Sequence, residues 1–252
     1  MMVSTMYFHP HVIADFIIIA LSLLITIEIW RNYKMSHHRA SIMLLVFMIW
    51  FVVAYSEQVA VVFLTRSEIL ESGSQIHRMM TGTCFTVGAG VAAAAATLFA
   101  ILTLKPRHMK FFCALPVAVA VVHFLLWAIF GEIQLQEIRG LAEWVPSSPL
   151  KGSTIVIAIM AFVPAILFLV YGMSIHTFRQ KVSGITLGAG FLILAFFVFV
   201  SDNFSLAPSI LYRRICIAAG IFTMYLGFIT PKWYLNLVKK GELAIKAELK
   251  KE

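Results

Sequence analysis

The sequence predicts an all-α integral membrane protein, a seven-transmembrane helix bundle. Its composition is 61% hydrophobic and 13% charged, about half the charge of an average soluble domain. The mean hydropathy is +0.91. The apolar residues form long continuous runs, not the short alternating segments of a membrane β-barrel. Because only helices and closed barrels satisfy the backbone inside lipid, these runs predict helices.

Seven of these runs are long enough to span a bilayer, which takes about 20 residues of helix. The bundle is predicted over residues 1–231, and residues 232–252 form a basic, amphipathic cytoplasmic tail with a short helix. The predicted spans are 11–30, 40–64, 80–104, 111–130, 153–175, 184–204 and 211–231.

The lysines and arginines predict the orientation of the bundle. The loops after spans one, three and five and the tail carry most of them. The acidic loop residues Glu68, Glu71, Glu132, Glu137 and Glu143 fall on the opposite side. Because cytoplasmic loops are enriched in Lys and Arg, we expect an extracellular N-terminus and a cytoplasmic C-terminus in a multi-pass protein of the cell membrane.

Three further segments have a recognisable pattern. The run of small residues Ala92–Ala96 predicts a third span that packs closely at the centre of the bundle. The tail places Trp233 and Leu237 beside lysines, which predicts a surface helix on anionic lipid head groups or, alternatively, a docking helix for a partner. A short interfacial helix is predicted in the fourth loop from the spacing of Ile133, Ile138, Leu141 and Trp144.

Ionisable residues inside a membrane are costly, so each is a candidate functional residue. Three carboxylates, Asp15, Glu57 and Asp202, reach a similar level in the outer part of the bundle. We hypothesise an outward-opening polar pocket for a small polar ligand, a cation or a proton; its other candidate residues are Ser56, Asn203, Arg213 and Arg214. Gln58, Ser201 and Ser205 are further polar residues beside it. The alternative interpretation is that these residues cap and anchor helix ends. Glu28 is expected in an interfacial ion pair, and His123 as a hydrogen-bonded core histidine.

The sequence offers little for metal binding or catalysis. His9 and His11 are weak metal candidates, because the proline between them restricts how both could face one ion. The HExxH, GxSxG and Walker patterns do not occur, which predicts a protein that is not an enzyme. A retinal Schiff base needs a lysine in the seventh span, and residues 211–230 contain none. No cofactor is expected.

The seventh span ends in a short motif, Gly227-Phe228, two residues, Pro231, one residue and Trp233. This ending resembles that of the seven-helix sensory module at the N-terminus of many archaeal and bacterial histidine kinases, and the predicted topology is also similar. The resemblance implies a sensor that passes a helix movement inward. Only residues 234–252 follow Trp233, so we expect a separate partner to carry the output.

The sequence therefore favours a receptor-like or sensor-like membrane protein that lacks its own output domain and acts through a protein partner in the membrane or cytoplasm. A non-catalytic subunit of a larger membrane complex is the alternative. A cation or proton channel or transporter fits less well, because no span has a polar stripe from one face to the other. The basic residues are spread over loops and tail, so no nucleic-acid partner is expected.

Overall fold

The structure, a computed structural model, describes residues 10–67, 69, 76, 80, 87–105, 108–130, 133–138, 141–146, 148–200 and 210–248. Within these residues the chain is a bundle of long helices with one small β-hairpin. The helices are α1 (Pro10–Ser36), α2 (Arg39–Arg66), α3 (Gly88–Leu104), α4 (Met109–Phe130), α5 (Ser148–Ser174), α6 (Phe178–Leu194), α7 (Ile210–Ile229) and α8 (Lys232–Glu248). Helix α6 continues into a π-helical segment, Ala195–Val200.

Six of these helices are long and apolar enough to cross a membrane: α1, α2, α4, α5, α6 with its π-helical continuation, and α7. The shorter apolar helix α3 covers the second part of the predicted third span. Of that span's first part, only Met80 and Val87 lie among the described residues. The prediction of a multi-pass helical membrane protein is thus confirmed. The tail is also helical from Lys232 to Glu248, as predicted.

The prediction of an interfacial helix in the fourth loop is wrong. Strands β1 (Ile133–Ile138) and β2 (Leu141–Pro146) pair antiparallel here, with Ile138 opposite Leu141. The apolar residues Ile133 and Leu135 alternate with glutamines, and that period of two is typical of a strand.

Helices that follow one another along the chain, from α1 to α7, pack side by side. Helix α1 packs on α2, α2 on α3, α3 on α5, α5 on α6 and α6 on α7, and α7 returns to α1. Helix α4 lies outside this ring against α3 and α5. The run Ala92–Ala96 of α3 is buried among α2, α4 and α5. Large aromatic side chains such as Phe47, Phe99, Phe168 and Phe191 fill the core.

Helix α6 approaches both of its neighbours at glycines. A Cβ atom on Gly184 would lie 2.8 Å from Cα of Gly172 in α5, and one on Gly190 would lie 2.6 Å from the backbone nitrogen of Met224 in α7. On the α7 side, a Cβ on Gly227 would lie 2.5 Å from the nitrogen of Leu187. These backbones are in contact, as in other membrane helices packed through small residues.

Helix α4 is the least buried of the candidate spans. Its anchor is His123, which is 2% exposed. The Nδ1 atom of His123 lies 2.9 Å from Oγ of Ser153 in α5, a hydrogen-bonding distance. The ring edge also touches α3, because a Cβ on Gly90 would lie 3.0 Å from it. The prediction of a hydrogen-bonded core histidine is confirmed.

Candidate functional site

A buried ion pair joins the first and the last of the described candidate spans. Nε of Arg214, in α7, lies 2.9 Å from Oδ1 of Asp15, in α1. The two side chains are only 7% and 4% exposed. Asp15 lies about 8 Å along α1 from its first residue and Arg214 about 6 Å along α7, at 1.5 Å per residue. The pair therefore sits at the end of the bundle where both helices begin.

Helix α2 supplies two further contacts to the same guanidinium group. Arg214 donates a hydrogen bond through Nη2 to Oε1 of Gln58. Its central carbon lies 4.6 Å from the centroid of the Tyr55 ring, in a cation–π arrangement. Tyr55 and Gln58 are three residues apart, which places both on one face of α2. We call Asp15, Tyr55, Gln58 and Arg214 the polar cluster.

The polar cluster satisfies a strong physical requirement. A charged side chain is costly inside a bilayer unless it has a partner of opposite charge. Asp15 neutralises Arg214, and Gln58 and Tyr55 replace part of the hydration that the guanidinium loses. Removal of one charge from such a buried pair typically costs about 3–5 kcal/mol. The cluster therefore holds α1, α2 and α7 in one arrangement.

Of the seven pocket residues that the sequence predicts, the structure brings Asp15 and Arg214 into contact. Ser56 is exposed on α2, outside the polar cluster. Glu57 is half-buried with both carboxylate oxygens shielded, and Arg213 is half-buried with its Nε shielded. Asp202 and Asn203 lie outside the described residues, as do His9 and the side chain of His11. Glu28 forms the expected ion pair, 2.9 Å from Arg31 at an exposed position of α1.

Sequence reasoning placed Gln58 beside the predicted pocket but did not assign Tyr55 to the site. In the sequence Tyr55 resembles the other core aromatic residues. Its spacing of three residues from Gln58, which places both side chains on one helix face, was the signal that could have assigned it to the site. Within the described residues no group of three or more His, Cys, Asp and Glu side chains comes together to hold a metal ion. The chemistry that the cluster supports is charge pairing. An anion that competes for Arg214, or a proton that neutralises Asp15, would break it.

A second set of polar contacts joins α6 to the other end of α7 and to α8. Arg179, Ser183 and Thr186 recur at helical spacing on one face of α6. Nε of Arg179 donates to Oγ1 of Thr230 at 3.2 Å. The hydroxyl of Ser183 donates to the carbonyl of Gly227 at 2.6 Å, and those of Thr186 and Tyr234 lie 2.7 Å apart. We call these three contacts the junction seam.

Proline explains why Ser183 is needed. In a continuing helix the carbonyl of Gly227 would accept from the N–H of residue 231, and that residue is Pro231, which has none. The Ser183 hydroxyl satisfies this carbonyl instead. Thr230 turns the chain with a φ of 45°, a conformation that β-branched residues rarely adopt. Its N–H still bonds the Leu226 carbonyl at 2.8 Å. The Gly-Phe-x-x-Pro ending thus has a structural role at this junction.

Comparisons with known proteins add no family. No protein-family model matches the chain, and no curated protein matches its sequence. The interpretation of the polar cluster and the junction seam therefore rests on their geometry.

The ion pair should show strong thermodynamic coupling. Asp15→Asn and Arg214→Gln should each lower the free energy of unfolding by about 3–5 kcal/mol, because each leaves a buried charge without its counterion. The double variant should lose less than the sum, since it leaves no unpaired charge. Unfolding in mixed detergent micelles measures all three, with Ser56→Ala as the exposed control. Additive losses would contradict a direct pair.

The junction seam should depend on the Ser183 hydroxyl. Ser183→Ala leaves the Gly227 carbonyl without this donor and should lower the free energy of unfolding by about 1–3 kcal/mol. Ser174→Ala is the matched control, since the exposed Ser174 hydroxyl only bonds Val170 within its own helix. Detergent unfolding compares the two, and equal effects would show that the Ser183 contact contributes nothing specific.

Proposed function

We propose that this chain is a seven-span membrane receptor or sensor with an extracellular N-terminus, which acts through a partner at the cytoplasmic face. One observation carries the proposal: the span that holds the buried ion pair, α7, leads directly into the surface helix α8. Only Thr230 and Pro231 separate the two helices. A movement of α7 caused by a change at the polar cluster would therefore also move α8 at the opposite membrane face.

The packing of α7 suits this role. Both of its ends are attached through polar contacts, to Asp15 at one end and to Ser183 and Arg179 at the other. Between them α7 meets α6 at glycines, Gly190 of α6 and Gly220 and Gly227 of α7, which bring the two helices close together. A helix of 20 residues, about 30 Å long, can tilt or slide as one body along such a surface. If the polar contacts at the ends of α7 break and re-form one at a time, α7 moves between discrete positions.

The seventh span of the proposal is α3 together with the residues that precede it. The described part has 17 residues, about 25 Å at 1.5 Å per residue. An odd number of spans puts α8 and the start of α1 on opposite sides, which agrees with the charge of the loops.

Cysteine labelling tests the orientation. In a cysteine-free background, Ser67→Cys and Gly241→Cys place single thiols at exposed positions near opposite ends of the bundle. A membrane-impermeant maleimide should label residue 67 in intact cells and residue 241 only after permeabilisation, because the reagent reaches only the outer face. Labelling of both residues in intact cells, or the reverse order, would refute this topology.

Transmission through α7 can be tested without a known ligand. Spin labels at Ser174→Cys and Gly241→Cys, both exposed, report the distance from the end of α5 to α8 in the reconstituted protein. Asp15→Asn should shift or broaden this distance distribution by several ångströms, because it releases Arg214 and lets α7 move. Ser56→Ala, outside the polar cluster, should leave it unchanged. A folded Asp15→Asn protein with the wild-type distribution would remove the proposal.

The second candidate is a non-catalytic subunit of a larger membrane complex. The observation that favours it is the exposure of α4, which leaves Phe111, Leu115 and Ile129 uncovered. In a receptor this face meets lipid; in a complex it meets another subunit. Purification in mild detergent separates the two. A subunit brings one companion at fixed stoichiometry and loses stability alone, whereas a receptor remains folded by itself.

A further inference from the structure

Helix α8 has two faces that differ in what they contact. Tyr234, Leu235 and Val238 are half-buried on the side toward the bundle. Tyr234 is held there by the 2.7 Å contact with Thr186 of α6. The contact between Tyr234 and Thr186 therefore turns one side of α8 toward the bundle and the opposite side away from it.

The outward face of α8 combines apolar and basic side chains. Trp233 is 58% exposed and Leu237 is 63% exposed, one helical turn apart. Lysines stand beside them at 232, 239 and 240, all exposed. Large apolar residues flanked by lysines on a helix surface are typical of helices that lie in a membrane interface.

The position of α8 agrees with this pattern. Two residues separate it from the end of α7, so its first turn is at the boundary of a membrane span. Trp30, near the end of α1, is also exposed, and its ring carries the Lys34 ammonium group at 5.4 Å. Helix α1 and the last span both end at this side of the bundle. Tryptophan with neighbouring lysine is the usual composition of a membrane–water boundary.

We propose that the outward face of α8 binds an anionic phospholipid surface, with Trp233 and Leu237 in the interface and Lys232, Lys239 and Lys240 on the head groups. Charge complementarity selects the occupant, since these three lysines match a negatively charged leaflet. Insertion into the membrane interface also removes the large apolar side chains of Trp233 and Leu237 from water. The inference goes beyond the proposed function, because it holds whether or not the protein senses a ligand.

The test uses the full chain in nanodiscs of phosphatidylcholine alone or with 30% phosphatidylserine. A single spin label at Asn236→Cys, exposed next to Leu237, reports collisions with oxygen, which concentrates in lipid, and with a water-soluble nickel complex. We expect the oxygen-to-nickel accessibility ratio to rise severalfold in the anionic membrane. High salt should reduce the rise, because it screens the lysines.

Two variants and a control show which groups are responsible. Replacement of Lys232, Lys239 and Lys240 by glutamine should abolish the rise, since each lysine near an anionic surface contributes about fivefold to binding. Leu237→Ser should lower the ratio in both membranes. Lys110→Gln, an exposed lysine at the start of α4, should behave like wild type.

Equal accessibility in the two membranes would overturn the proposal, and so would a full rise in the variant with glutamine at positions 232, 239 and 240. Either result would leave the face of α8 for a protein partner. The proposed sensor function fails on a different measurement, the distance between residues 174 and 241 in the Asp15→Asn protein, so the two failures can be distinguished.

Discussion

The arrangement of α1, α2 and α7 depends on one guanidinium group. Arg214 is buried at the bundle end where α7 begins, and its charge has to be neutralised within the protein. Asp15 is the counterion, and Gln58 and Tyr55 complete its surroundings. Because α1 and α7 are the first and last of the described candidate spans, this contact closes the ring of helices. The other helix pairs in the ring are neighbours along the chain, except α3 and α5, which are joined by a buried 3.2 Å hydrogen bond from the Thr97 hydroxyl to the Met160 carbonyl.

The opposite end of α7 is determined by a missing N–H group. Pro231 ends the helix and leaves the Gly227 carbonyl without its usual donor, and Ser183 of α6 provides one. Gly227 itself lets α6 come close enough for that bond to form, since a Cβ there would meet the Leu187 backbone. One short motif therefore ends the span, attaches it to α6 and sets the direction in which α8 leaves.

Hydropathy predicted the helices because lipid permits few alternatives to them. Helices α2, α4 and α7 begin and end within two residues of their predicted spans, whereas α1 ends six residues later and α5 and α6 begin five and six residues earlier. The cost of buried charge likewise singled out Asp15 and Arg214. Which arginine faces the bundle could not be predicted in this way. Arg213 and Arg214 are adjacent in the sequence and differ only in their rotation about the helix axis. Tyr55 was missed because an aromatic side chain has the same sequence signature in a core and over a cation.

The fourth loop was mispredicted for a related reason. Ile133, Ile138 and Leu141 fit a helical spacing, and the glutamines at 134 and 136 fit a strand equally well. Over so few residues the two periods overlap. The strand conformation is stabilised by the ladder of backbone hydrogen bonds between β1 and β2. Such pairing is a contact between two segments, so the local spacing of residues does not reveal it.

The composition of the polar cluster also bears on how α7 could move. A well-packed apolar group in place of a buried ion pair is often as stabilising, so stability alone does not call for charges at this position. What an ion pair adds is a contact that a proton or a competing anion can break. If Asp15 were neutralised, Arg214 would still have the amide of Gln58 and the ring of Tyr55, both on α2. The guanidinium would then be held by α2 alone, and α7 would lose its charged contact with α1 while it stayed packed in the bundle. Arg214 held by Gln58 and Tyr55 alone is therefore closer in energy to the Asp15-paired arrangement than an isolated buried charge would be. Because the energy difference is smaller, a ligand needs a smaller difference in affinity for the two arrangements to shift the population between them.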